Sequence, residues 1–262
     1  MKIKEIVSAL ERFAPLPLQD GFDNAGLQIG LTEAEATGAL LCLDVTEAVV
    51  DEAIALGYNL IVAHHPLLFK GYKSITGKDY VERCIMKAIM NEIVIYAAHT
   101  NLDNAQGGVN FKIAEKIGLK NVKVLDPKDD ILGDVAGAGV VGELEEPETE
   151  TEFLKRIKKL FEVGCVKHNR LNGRLIQKVA LCGGAGAFLL PKAMAENADV
   201  FITGEVKYHD YFYYDDRILV AEIGHYESEQ YTKEIFYSII RERFPELDVQ
   251  MTRVNTKPIN YL

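Results

Sequence analysis

Ile3, Ile6, Val7, Leu10 and Phe13 recur on one stripe at helical spacing, so the chain opens with an amphipathic helix, which Pro15 and Pro17 end. A turn-rich stretch over residues 21–26 leads into a short strand at 27–29. From there the pattern becomes regular. An apolar run at 38–43 reads as a strand, Thr46 caps a helix to Leu56 that Gly57 closes, and 59–63 is the next strand. After a loop at 66–78, the spacing of Val81, Ile85, Ala88 and Ile89 predicts a helix, followed by a strand at 93–98 and a helix at 109–117. This alternation of strand and helix predicts a largely parallel sheet covered by helices.

Around residues 126–130 the composition turns polar, which marks a boundary between a first domain over 1–128 and a second over 129–262. In the second, strands at 135–141, 176–181, 200–202 and 218–223 alternate with helices at 151–161 and 187–195. An aromatic-rich segment covers 208–214, and a helix at 227–244 with a final strand near 249–254 completes the unit. The fold class is therefore α/β: two α/β domains with mixed, largely parallel sheets flanked by helices. No repeat aligns between the halves, so the reading is similar architecture and not duplication.

A chain of 262 residues, 48% of them hydrophobic, can bury a large core. Its 29 basic and 39 acidic residues leave a net charge of −10, so no general affinity for nucleic acid or anionic lipid is expected. Lys155, Arg156, Lys158 and Lys159 read as the solvated face of a helix. No apolar run approaches the roughly 20 residues of a membrane-spanning helix, and the N-terminal helix is neither a signal peptide nor an anchor. Cys42, Cys84, Cys165 and Cys182 form no Cys-x-x-Cys pair and suit small buried hydrophobes, which predicts a reduced, cytoplasmic protein.

The polar residues gather after strand ends. The apolar run 61–63 stops at His64 and His65, and Asp44, His99 and Asp103 follow the ends of neighbouring strands, where open α/β sheets place ligand crevices. Adjacent side chains on extended backbone point to opposite sides, so the two imidazoles suit two ions better than one. In the second half His225 and Glu229 stand at i, i+4 on one helical face. Glu227 is the competing acid, read as an exposed first-turn residue, and Glu229 is preferred as the ligand. Three histidines and two carboxylates form a mixed N/O set that Zn, Mn, Fe or Ni accept. His99 is expected to serve as a partner of the ligands or as a proton carrier, with Glu205 the second choice. Asp44, Gly184 and His209 are substrate-binding candidates. The run Gly183-Gly184-Ala185-Gly186 lacks the Lys-Ser/Thr of a phosphate loop and reads chiefly as close helix–strand packing.

Five segments, in order, resemble one family: Gly21-Phe22-Asp23-Asn24-Ala25-Gly26-Leu27, Ala63-His64-His65-Pro66, His99-Thr100-Asn101-Leu102-Asp103, Thr203-Gly204-Glu205, and Gly224-His225-Tyr226 through Glu229. The chain is similar, over nearly its whole length, to the NGG-interacting-factor-3-like proteins, often catalogued as GTP cyclohydrolase I type 2 homologues. The resemblance implies two α/β domains around a dinuclear metal site in the cleft between them, with His64, His65, Asp103, His225 and Glu229 at the ligand positions. It also implies a homo-oligomeric ring, usually a hexamer built from dimers, in the compact form that lacks an inserted domain. Two divalent transition-metal ions bring +4 and Asp103 with Glu229 return −2, which suits hydroxide and a small anionic substrate. The expected function is a dinuclear metal-dependent hydrolase acting on a nucleotide-like or phosphorylated molecule; the alternative is a metal-stabilised oligomeric scaffold without catalysis.

Overall fold

The apolar stripe at the N-terminus forms α1 (Ile3–Phe13), which buries Ile3, Ile6, Val7, Ala9 and Leu10. The Glu5 carboxylate reaches back to accept from the Lys2 N–H at 2.7 Å, occupying a donor that the helix start leaves open. The computed structural model describes residues 1–128 and 135–262. After α1 come β1 (Gly26–Ile29), β2 (Ala39–Cys42), α2 (Glu47–Leu56), β3 (Leu60–Ala63), α3 (Tyr80–Met90), β4 (Val94–Ala97) and the short α4 (Thr100–Asn104). Every residue of β2, β3 and β4 is buried, which is why these strands read as unbroken apolar runs and not as alternation. Thr46 caps α2 through its hydroxyl oxygen, and Gly57 ends it in the left-handed conformation.

The second unit holds α5 (Val109–Ile117), β5 (Lys120–Pro127), β6 (Gly137–Thr149), α6 (Glu150–Leu160), β7 (Lys167–His168), β8 (Leu175–Cys182), a 3₁₀ turn (Gly186–Leu189), α7 (Leu190–Ala195), β9 (Val200–Thr203), α8 (Asp210–Tyr214), β10 (Leu219–Glu222) and α9 (His225–Glu229). The chain then forms α10 (Thr232–Arg243) and β11 (Val249–Met251). Both sheets are mixed. The first has the order β1-β4-β3-β2-β11 and is parallel except for β1; the second runs β5-β6-β8-β9-β10-β7, with only β8, β9 and β10 mutually parallel.

The chain divides differently from the sequence reading. One compact unit is Met1–Ala105 with Thr232–Pro258, and the other is Gln106–Tyr231 with Ile259–Leu262. The expected boundary after residue 128 opens onto residues 129–134, which lie outside the described residues. The final strand does not complete the second unit: β11 pairs in parallel with β2, Val249 opposite Ala39, and α10 packs on α1 and β2. Ile235, Phe236, Ile239 and Ile240 are buried by that packing, each worth roughly 1.5–3 kcal/mol by leaving water. The single helix expected over 227–244 is two helices, because Gln230 closes α9 onto Tyr226 and the chain changes unit at Tyr231. The sequence pattern does not show β5, since it is an edge strand with Lys120, Asn121 and Lys123 exposed and its register broken between Lys120 and Lys123. Cys165 is exposed, unlike the other three cysteines, because it lies in the connection between α6 and β7.

One buried acid organises the loop after β3. Glu82 of α3, its side chain fully buried, accepts from the Thr76 N–H at 2.8 Å, the Thr76 hydroxyl at 3.0 Å and the Lys78 N–H at 3.1 Å. The bond from the Thr76 backbone, followed by those from Lys78, holds the carboxyl down from 4.5 to about 2. A depressed folded value means that the contribution to stability is present above the ordinary value and is lost as pH falls toward about 2. Glu82→Gln is therefore expected to lower Tm near neutral pH. The gap to wild type should shrink steadily in thermal melts taken from about pH 5 to about pH 2; a gap that stays constant would refute this.

Candidate metal centre

β2, β3 and β4 run in parallel register, so Cys42, Ala63 and Ala97 end level with one another. The register continues past the strands: the His64 N–H donates to Cys42 O at 3.2 Å, His65 N–H to Leu43 O at 2.9 Å and Ala98 N–H to Ala63 O at 3.0 Å. His64, His65 and His99 are thereby set along one sheet edge. α4 starts at once after His99, and the Asp103 N–H donates to His99 O at 3.0 Å, folding Asp103 back toward the histidines. The buried Asn101 and Asn104 fix this turn by donating to Ala14 O at 2.7 Å and Leu18 O at 2.9 Å.

The ring centroids of His64 and His65 are 4.9 Å apart, and His99 lies 5.3 Å from the first and 5.5 Å from the second. Each ring has its Nδ1 taken by an acceptor: Ala98 O for His64 at 2.8 Å, Asp44 Oδ1 for His65 at 2.7 Å and Asp23 Oδ1 for His99 at 2.7 Å. A carbonyl oxygen or an ionised carboxylate only accepts, so Nδ1 carries the proton in all three and Nε2 presents its lone pair. This is the arrangement by which histidine ligands are oriented and made more basic. One ligand atom from each of the three histidines lies within 4.8 Å of the others. His64 Nε2 stands 3.6 Å from Asp103 Oδ1, too long for a hydrogen bond. Two donors on one tetrahedral ion, each about 2.0–2.1 Å from it, would stand roughly 3.3 Å apart, so this pair fits a shared ion.

Asp23 is the group that sequence reasoning missed. Its side chain is fully buried; Oδ1 accepts from His99 while Oδ2 accepts from the Thr100 N–H at 2.9 Å and from the Thr100 hydroxyl. Burial alone would raise this carboxyl, but the bonds from His99 and Thr100 outweigh it and hold the group at about 2. The Gly21-Phe22-Asp23-Asn24 turn was visible as a motif, but its partner lies 76 residues away and no local spacing links the two. Asp44, a substrate-binding candidate by sequence, spends Oδ1 on His65 and Oδ2 on the Thr256 hydroxyl at 2.8 Å. Burial would raise its carboxyl too, and the His65 bond reverses the direction. Asp44 thus orients a histidine.

The second unit repeats the device. Cys182, Thr203 and Glu222 end β8, β9 and β10 in register, and His225 follows the last of these. Its Nδ1 donates to Glu205 Oε1 at 2.8 Å, and its Nε2 lies 3.0 Å from Glu229 Oε2 on α9. Glu205, expected as a proton carrier, is placed as the orienting partner of His225. The spacing argument for Glu229 holds locally, since its carboxylate faces His225 and is almost wholly buried. Glu227 is buried, not exposed as expected, because its carboxylate folds back over Gly224, where a Cβ would meet an oxygen at 2.3 Å. Gly184, at φ +59, has no room for a side chain either: a Cβ there would meet Glu229 Oε1 at 2.3 Å. Its N–H donates to the Ser228 hydroxyl oxygen at 3.0 Å, while the Gly183 and Gly186 N–H groups donate to Asn110 and Thr203. These three donors are occupied within the protein, as close packing of the loop requires. His209 is exposed and packs with Tyr208 and Phe212, its ring centroid 5.3 Å from the first.

The first unit therefore carries three imidazoles and the second one, each with Nδ1 bound by an acceptor and with a buried or half-buried carboxylate nearby, a donor set chemically suited to divalent transition metals. Comparison with known proteins finds the same fold over nearly the whole chain. The family model described as Duf34/NIF3 (NGG1p interacting factor 3) matches residues 1–258. A Clostridium perfringens protein named GTP cyclohydrolase 1 type 2 homolog is 36% identical over 230 residues, 87% of each chain. The crystal structure of a Staphylococcus aureus hypothetical protein superposes with a TM-score of 0.91 at 30% identity, covering 100% of this chain and 99% of that one. Reduced HcgD from Methanocaldococcus jannaschii gives 0.80 at 28% identity, covering 97% and 98%.

Proposed function

This chain belongs to the Duf34/NIF3 family, and we propose that it is a dinuclear metal-dependent hydrolase of a small anionic, nucleotide-like or phosphorylated substrate. The observation that carries the reading is the common state of His64, His65, His99 and His225, each with Nδ1 bound by an acceptor, which leaves Nε2 to meet a metal or a proton. His64, His65 and Asp103 are the proposed ligands in the first unit, and His225 and Glu229 in the second, for two divalent ions drawn from Zn, Mn, Fe or Ni. Such ions supply Lewis-acid polarisation and water activation near neutral pH. The chain's own residues do the rest. Asp44 and Glu205 orient His65 and His225. His99, held by Asp23, moves a proton to or from the leaving group. The names of the curated relatives, GTP cyclohydrolase 1 type 2 homolog, favour a nucleotide-like substrate.

The deciding experiment is a metal-supplemented screen of nucleotides, phosphoesters and cyclic amides with His65→Ala as the control. Turnover by wild type alone supports hydrolysis; equal rates from both chains would reject the metal-site assignment, and none from either would leave the scaffold reading in its place. A cytoplasmic location and assembly into a hexameric ring are part of the proposal. No described helix is long and apolar enough to cross a membrane. Light scattering is expected to give a mass near six times 29.2 kDa, and a stable monomer at working concentration would reject the ring.

A further inference from the structure

A cleft of about 870 Å³ lies wholly within the second unit, beside the loops that follow β9 and β10. That volume is within the roughly 300–1,000 Å³ of small-molecule sites. Its walls include Phe188, 64% exposed, Ile259, 55% exposed, and Tyr261, 42% exposed. Large apolar side chains gathered in one concavity and left in water mark a binding surface. The charged groups on the lining are Lys167, Glu205, Lys207, Asp210 and Glu222, and Glu205 is held by His225. Lys167 is committed to Glu222, whose other oxygen accepts from the Tyr211 hydroxyl at 2.8 Å. Lys207, by contrast, is exposed and makes no ion pair among the described residues. Asp210 offers an acceptor on the same lining.

We propose that this cleft binds an amino-substituted heteroaromatic ring carrying one anionic group. Phe188 and Tyr261 take the faces of the ring, because stacking on aromatic side chains suits any flat π system. Asp210 accepts from the ring's amino group. Lys207 meets the anion, since the N–H groups of Gly183, Gly184 and Gly186 are already spent inside the protein. The binding claim stands on the cleft alone. That such a molecule is the substrate rests on the hydrolase reading, through His225, which lines the same cleft.

The test is calorimetric titration of the full, metal-loaded chain with adenosine 5′-monophosphate, adenosine and ribose 5-phosphate. The monophosphate should bind best. Phe188→Ala should weaken it and adenosine alike by about tenfold or more, and Lys207→Ala should weaken the monophosphate severalfold and leave adenosine unchanged. Both side chains are exposed, so neither variant threatens the fold. Ribose 5-phosphate binding as well as the monophosphate, or indifference of the monophosphate to Phe188→Ala, would overturn the proposal. A chain stripped of metal that still binds in a Phe188-dependent way upholds the cleft independently of the hydrolase reading. Metal-dependent hydrolysis of another compound without any monophosphate binding refutes the cleft and leaves the hydrolase standing.

Discussion

The purified chain is expected to carry about two transition-metal ions, and His65→Ala or Asp103→Ala to lose most of that content with circular dichroism unchanged. His65 and Asp103 are the better sites for this test, as their side chains are partly exposed, at 22% and 23%, whereas His64 is fully buried and its truncation would also open a cavity. Orienting residues give a graded version. Asp44→Asn keeps the shape at His65 but weakens the charge-assisted bond to Nδ1, and should lower metal affinity about 10–100-fold. Elemental analysis alongside circular dichroism reads both effects. Loss of secondary structure in both ligand variants, or an active wild type without metal, would sink the assignment.

His99→Ala is expected to retain its metals and to lose roughly 10²–10⁴-fold in turnover on the best substrate found. The expectation follows from a ring tied by Nδ1 to a buried, ionised Asp23 and set beside two candidate ligands. Asp23→Asn should cause a smaller fall in kcat, because an amide can still accept from Nδ1 but sets a second donor against the Thr100 N–H. Metal content separates this from the competing arrangement. If His99→Ala loses metal in parallel with His65→Ala, then His64, His65 and His99 form a three-nitrogen site, as their mutual distances permit. Full retention of both metal and rate would remove His99 from the mechanism.

What the sequence disclosed was decided by how local each signal is. Strands buried on both faces, such as β2, β3 and β4, are written as short apolar runs, and the polar residues that follow them stood out against that background. The His225 and Glu229 pair was legible because a helical turn brings them together over four residues. Asp23 with His99, Asp44 with Thr256 and β11 with β2 were not, since each pairing spans a large part of the chain and leaves no periodicity. A carboxylate that orients a histidine, as Asp44 and Glu205 do, looks in sequence like one that faces substrate or carries a proton, because each role places an acid after a strand end. β5 was missed for a different reason: an edge strand faces water, and its polar residues look like those of a linker.

The late arrival of β11 has a consequence for how the protein is made. β2 acquires its outer neighbour only when residues 249–251 leave the ribosome, long after its own four buried residues have been synthesised. Until then an apolar strand keeps one row of backbone donors and acceptors open, which is a template for pairing with another nascent chain. A transcript truncated anywhere before residue 249 should therefore yield insoluble product, and a chaperone that shields this edge should raise the soluble yield of the full chain more than that of the truncated one.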